Sequence, residues 1–291
     1  MGIFASLFDG VLVGAVYGLA AMGITLIWGV MGVINLTHGT MIVAGMFGVY
    51  LLAGAVGVPV YATLPLILIG GFFAGVAMYW IAVHRLVGQP PLMSLLSTFS
   101  VNLALIGLAT VAWGTDLFNV PVSLPGLSMG HFTFPGTHIM AAGLTVAIAG
   151  TLYLLLNRTR IGKAVRAVSG NREAAELVGI PTQRVLALSF GLGVALACVS
   201  GMLIATMFPF TVLSGDPYLL KSFVVTVLGG LGNPVGALIA GVALGLLEGL
   251  ATPFMPVSWT PLIEFVLFVA VLIAFPGGVL RVLGLRGTRP H

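Results

Sequence analysis

Charge is what this sequence has least of. Only 6% of its 291 residues are Asp, Glu, Lys or Arg, where a soluble globular domain carries about 25%. A chain so poor in charge could not cover a surface that faced water on every side. An ordinary soluble enzyme or binding module is thereby excluded, and lipid becomes the main solvent. Cysteine is nearly absent: Cys198 is the single one, so no intrachain disulfide framework exists and the redox compartment is left open. No basic stretch precedes the first apolar run, because Met1 to Asp9 contains neither Lys nor Arg, and that run is long enough to span. No cleavable signal peptide is expected. Catalytic constellations are missing too. There is no Ser/His/Asp or Cys/His set, no His-Glu-x-x-His and no pair of membrane aspartates. His131 and His138 lie too far from other ligand types to argue for a metal.

What is abundant is apolar surface, 59% of residues, together with 41 glycines. Small residues let helices approach closely where no hydrophobic effect drives them together. Charge-free runs fall at Gly10–Val30, Thr40–Val58, Tyr61–Val83, Leu92–Trp113, Ile139–Leu156, Val185–Phe208, Ser222–Leu247 (interrupted) and Phe265–Leu280. At about 20 residues per crossing, these predict an all-α integral membrane protein of about eight transmembrane helices, forming one transmembrane domain over residues 1–291.

The net charge of +4 is not spread as a nucleic-acid surface would require, and no nucleic acid is expected. Of eleven Lys and Arg residues, six lie between 157 and 184: Arg158, Arg160, Lys163, Arg166, Arg172 and Arg184. Arg281, Arg286 and Arg289 occupy the C-terminal tail, Arg85 the 84–91 turn, and Lys221 stands alone. The positive-inside rule puts the turn, the loop and the tail in the cytoplasm. The 114–138 connection, with no Lys or Arg, falls outside, and so does the N-terminus. With Ser222–Leu247 as one crossing, the tail would end outside. The run Gly229-Gly230-Leu231-Gly232-Asn233-Pro234 resolves that conflict if the chain breaks near mid-membrane and returns. Irregular backbone at such depth is tolerated only where protein or a water-filled cavity satisfies it, and broken helices of this kind line transport paths. Gly32 to Gly39 interrupts the first half comparably. Two Gly/Pro-broken or re-entrant segments suggest a possible internal repeat.

The 157–184 loop carries a second signal. Asn171 can cap a helix, Glu173 suits its first turn, and Gly179 followed by Pro181 ends it. A helix over Arg172–Val178 is predicted, with Ala174, Ala175, Leu177 and Val178 as a small apolar face. Two turns are not stable alone in water, so this helix needs either the chain's own spans or a partner to pack on. Retention of the loop in the cytoplasm would account for the cations but not for the cap.

Glu173-Ala174-Ala175 followed by Gly179 resembles the EAA…G loop by which ABC-importer permeases dock their ATPase, although the Ile-x-Leu-Pro continuation of that motif is absent. A broader resemblance, covering essentially the whole chain, is to the branched-chain amino acid permeases of the LivH type. It rests on Ile34-Asn35-Leu36-Thr37-His38-Gly39, on Arg160-Ile161-Gly162-Lys163-Ala164-Val165-Arg166-Ala167, and on Val227 to Ala237 around the glycine run. The resemblance implies a permease of an ATP-driven importer in the inner membrane. Its partners would be a sister permease or second copy, two cytoplasmic ATP-binding subunits and a periplasmic solute-binding protein. It also implies an ATPase-coupling role for the loop, with Arg166, Asn171, Arg172, Glu173, Ala174, Ala175 and Gly179 as its candidate residues. ATP and its Mg would be handled by those partners and no cofactor by this chain: Gly162-Lys163 is followed by Ala, and Asn157 stands where a phosphate loop needs its first glycine. Urea, short amides or another small solute are alternative cargoes, and a stand-alone channel or secondary transporter is the alternative class.

Candidate path residues are Asn35, Thr37, His38, Asn102, Gly229, Gly230, Gly232 and Asn233. For Asn35, Thr37 and His38, loop preferences favour a turn at the cytoplasmic interface over a polar lining of the path. Asn102, well inside its run, suits an interhelical hydrogen bond. Glu248 and Glu264 flank their runs and suit interfacial positions. Asp116 and Asp216 are either solvated charges or contacts for a binding protein.

Overall fold

In hydrocarbon each backbone N–H and C=O must find its partner within the segment, so the charge-free runs fold as helices. The computed structural model describes residues 2–129 and 132–254, and beyond them Trp259, Leu262, Phe265, Val266, Val269, Ala270 and Ile273. Most of the expected last span Phe265–Leu280, with Glu264, His131, Arg281, Arg286 and Arg289, lies outside the described residues. In chain order the helices are α1 (Gly2–Met31), α2 (His38–Gly54), α3 (Leu64–Met78), α4 (Pro91–Trp113), α5 (Gly136–Arg158), α6 (Arg160–Gly170), α7 (Arg172–Leu177), α8 (Thr182–Ala205), α9 (Gly215–Gly229) and α10 (Pro234–Ala251). A 3-10 turn before α3 and a π turn, Tyr79–Val83, after it extend that rod over Val60–Leu86. Among the described residues six helices are long and apolar enough to cross a membrane: α1, the rod built on α3, α4, α5, α8 and α10. The one pair of strands among them, Leu127–Met129 and Phe132–Phe134, forms an antiparallel hairpin in the 114–135 connection.

Glycine sets the packing. Gly10, Gly14 and Gly18 on α1 face Gly241, Gly245 and Gly249 on α10, and a Cβ added at Gly14 would lie 2.6 Å from the Gly241 carbonyl oxygen. Spacing of four residues keeps each set on one helix face. Gly23 meets Gly193 of α8 in the same way, and Gly45 on α2 and Gly201 on α8 each lie against the other helix's backbone. Across α1 and α9, Thr25 donates to Thr226 at 3.2 Å, and Thr226 lies 3.2 Å from the Ala21 carbonyl. Helix α1 is thus buried along most of its length, whereas α4 turns most of its surface outward.

The bundle has two ends. At the far end His138, starting α5, meets Asp9 of α1 at 2.5 Å. Phe118 and Phe210 exchange backbone hydrogen bonds there at 2.8 and 2.9 Å. The basic end carries the 84–91 turn and the 158–184 segment. Two short helices start inside the bundle rather than at either end. After α1 reaches the basic end, residues 32–37 turn back, and α2 begins where His38 touches Ala20. After α8 reaches the far end, residues 206–214 turn back, and α9 begins where Gly215 lies against Gly39.

Candidate functional site

The turn-back at 32–37 is held by side chains. Asn35 Oδ1 accepts from the Thr37 N–H at 3.2 Å and from the Thr37 hydroxyl at 2.6 Å. Thr98 on α4 accepts the Leu36 N–H at 3.2 Å and lies 3.1 Å from the Ile34 carbonyl. His38 Nε2 lies 3.0 Å from the Ala20 carbonyl, a geometry in which Nε2–H donates and Nδ1 keeps its lone pair. Asn35 Nδ2 and His38 Nδ1 are buried without a protein partner among the described residues. One turn further on, Thr40 donates to Asn102 of α4, an interhelical hydrogen bond. Asn35, Thr37 and His38 are 2%, 0% and 0% exposed. An interfacial turn facing water does not fit this burial. The physical reason is length: α1 runs through to Met31, so the connection must re-enter to reach His38 beside Ala20.

Gly229, Gly230, Gly232 and Asn233 sit elsewhere and do not join this cluster. They form a tight link between α9 and α10, with Gly230 at φ +87° and Gly232 at φ +83°. Asn233 caps α10, its Oδ1 accepting from the Gly236 N–H at 3.1 Å, and Pro234 occupies the first turn. The link lies beside Gly29, two residues before α1 ends, and not near mid-membrane as the sequence suggested. Because α9 starts deep, against Gly39, its fifteen residues carry the chain through to the basic end before it turns. The expected return of the chain toward the far end does occur, along α10.

At the basic end Asn171 caps α7, accepting from the Ala174 N–H at 2.9 Å. Glu173 lies in its first turn. Gly179 closes the helix at φ +80°, and the Ile180 N–H reaches back to the Ala175 carbonyl at 3.0 Å. Arg172 and Glu176 pair at 3.3 Å. The Thr182 hydroxyl donates to Glu176 at 2.5 Å, which, with Arg172 adding to it, holds the Glu176 carboxyl below the usual carboxylate range. The expected apolar face divides. Ala175 is buried, while Leu177 and Val178 are 89% and 76% exposed, since so short a helix can turn only one side inward. Arg166 belongs to α6, where it donates to the Leu156 carbonyl and satisfies the C-terminal end of α5. Helix α6 was missed in the sequence, though its signals are there: Thr159 caps it by accepting the Gly162 N–H at 3.1 Å, and Gly162, Val165 and Val168 form its buried stripe. Lys221 does not stand alone; it pairs with Glu248 at 2.5 Å between α9 and α10.

A family model described as the branched-chain amino acid transport system / permease component matches residues 6–273. The chain belongs to that permease family. The permease is 28% identical over 297 residues to the high-affinity branched-chain amino acid transport system permease protein LivH of Escherichia coli K12, covering 94% of each chain. It is 27% identical over 290 residues to BraD of Pseudomonas aeruginosa, a protein of the same description, again covering 94% of each. A more distant relative is the autoinducer 2 import system permease protein LsrC of Salmonella paratyphi B, 26% identical over 266 residues and covering 88% of this chain and 73% of that one. No solved structure matches.

Proposed function

We propose that this permease is a membrane-spanning subunit of an ATP-driven importer of branched-chain or related apolar amino acids in a bacterial inner membrane. It works beside a sister permease or second copy, two cytoplasmic ATP-binding subunits that carry the ATP and Mg, and a periplasmic binding protein. The observation that carries this reading is the exposed pair Leu177 and Val178 on a capped, tethered helix at the basic end. Each such side chain gains about 1.5–3 kcal/mol on full burial, and among the described residues α7 leaves both exposed. A groove on an ATPase subunit can. Closure of the two ATPases is then transmitted through residues 171–180 into α8, shifting the helices that meet at the Asn35 turn-back and the 229–234 link.

The test is the double variant L177D/V178D. Two carboxylates at that tip should abolish co-purification with the ATP-binding subunits and reduce ATP-driven leucine uptake to background, with the permease still folded and inserted. The unaltered permease, alone in liposomes, should move no leucine. Unaided transport, or a variant that keeps both assembly and uptake, would refute the importer mechanism. Uptake of urea or an amide in place of leucine would refute the substrate.

A further inference from the structure

At the far end a cavity of about 430 Å3 opens between α1, α9 and residues 206–214, lined by Tyr17, Phe208, Pro209, Ser214, Pro217, Tyr218 and Lys221. Its size is ordinary for a small-molecule site. Its walls are mostly aromatic rings and prolines. Tyr17 and Tyr218 stand 6.2 Å apart between centroids, and the Lys221 ammonium lies 4.6 Å from the centre of the Tyr17 ring. Proline offers no N–H, and the Ser214 oxygen accepts the Thr211 N–H at 2.9 Å. The polar side-chain groups of the lining are the Tyr17, Tyr218 and Ser214 hydroxyls and the Lys221 ammonium. A molecule with an apolar body and a charged end would find an apolar wall and, at Lys221, a charged one.

Arg158 and Arg184 stand exposed at the basic ends of α5 and α8, whereas Lys221, within α9, has a side chain only 13% exposed. Ionisable groups at such positions are costly and usually functional. Its partner Glu248, 18% exposed, makes the pair neutral. An anion alone would leave Glu248 uncompensated if it displaced that carboxylate from Lys221, and a cation alone would leave Lys221 so. A zwitterion does neither: its carboxylate replaces Glu248 on the lysine, and its ammonium compensates the released Glu248. The Tyr17 ring face holds the lysine ammonium during that exchange.

We infer that this cavity is an acceptor site for a free amino acid with an apolar side chain, its carboxylate on Lys221 Nζ, its ammonium beside Glu248 and its side chain against Tyr17, Tyr218 and Phe208. The inference rests on the reading of the chain as an amino acid permease and gives that reading a site at the far end.

The test places a thiol at the wall, in the full-length S214C permease in nanodiscs. Cys198 is the only native cysteine and is buried, so maleimide labelling reports on position 214. L-Leucine and L-valine should slow labelling several-fold. 4-Methylpentanoate, lacking the ammonium, and isopentylamine, lacking the carboxylate, should protect far less, and urea not at all. K221M should weaken leucine protection roughly tenfold to hundredfold, as loss of a hydrogen bond to a charged group does, and K221R should retain most of it. The variant K221M/E248Q removes both charges and guards against misfolding of the single variant. If protection returns in it, the pair is structural and the inference fails. It fails also if no amino acid protects, or if protection survives K221M. Leucine uptake by the assembled importer separates the two readings: uptake without protection sinks the cavity alone, and protection without uptake sinks the importer substrate alone.

Discussion

At the scale of single residues, the basic end rests on one carboxylate. Glu176 accepts from Thr182 and from Arg172, joining α7 to the start of α8, and both partners favour its ionised form. Its pKa is lower folded than unfolded, so the stabilisation is fully present above the ordinary carboxylate pKa of 4.5 and is lost as pH falls through the lower, folded value. Amide exchange at residues 172–178 should therefore stay slow through neutral and mildly acidic pH and quicken only below the usual carboxylate range. E176Q, which keeps the shape and removes the charge, should flatten that dependence. Exchange with the same pH profile in E176Q would mean that another group anchors α7.

At the scale of elements, the crossing of α2 over α8 is the most exacting contact. Gly45 lies on the Cys198 backbone and Gly201 on the Ile42 backbone, so neither has room for a methyl group. G45A and G201A should each destabilise the bundle by about 1–3 kcal/mol, the ordinary range for overpacking, read as a lower thermal midpoint in detergent. G54A and G70A, where an added Cβ meets nothing, should change it little. Helix existence was legible in the sequence because runs without charge leave the backbone no other solution in lipid. The α7 cap was legible because Asn171, Glu173 and Gly179 act over a few residues. Helix α6 was legible in principle, from Thr159 and the Val165–Val168 spacing, but the cations around it masked the pattern. The depth of the turn-backs was not legible, nor was the pairing of Lys221 with Glu248 across 27 positions. Those depend on which helix lies beside which, and local pattern carries no such information.

At the scale of the whole molecule, the two turn-backs form one arrangement. Helix α1 runs from the far end to the basic end and is followed by α2, which starts inside. Helix α8 runs the opposite way and is followed by α9, which also starts inside. The two units run in opposite directions and their short helices begin at the same place, Gly39 against Gly215. A repeat of this kind shows in space while its residues diverge, since the two copies face different neighbours and opposite sides of the bilayer. The first copy gathers Asn35, Thr37 and His38 at its turn-back, while the second, with Thr211 and Ser214 in its own turn-back, opens onto the Lys221 cavity.

The central position of α1 also dictates an order of events during synthesis. Helix α1 leaves the ribosome well before α8, α9 and α10, which cover it and follow more than 150 residues later. Until then its glycine row and the Thr25 hydroxyl must wait in lipid or against the insertion machinery. A chain stopped after Gly230, lacking α10, should therefore be inserted but short-lived, and pulse-chase should show turnover several-fold faster than for the full chain. Equal lifetimes would mean that α1 finds a lasting cover elsewhere. Such a nascent chain commits to its final shape only once α8, α9 and α10 arrive, so quality control can judge it only after they emerge.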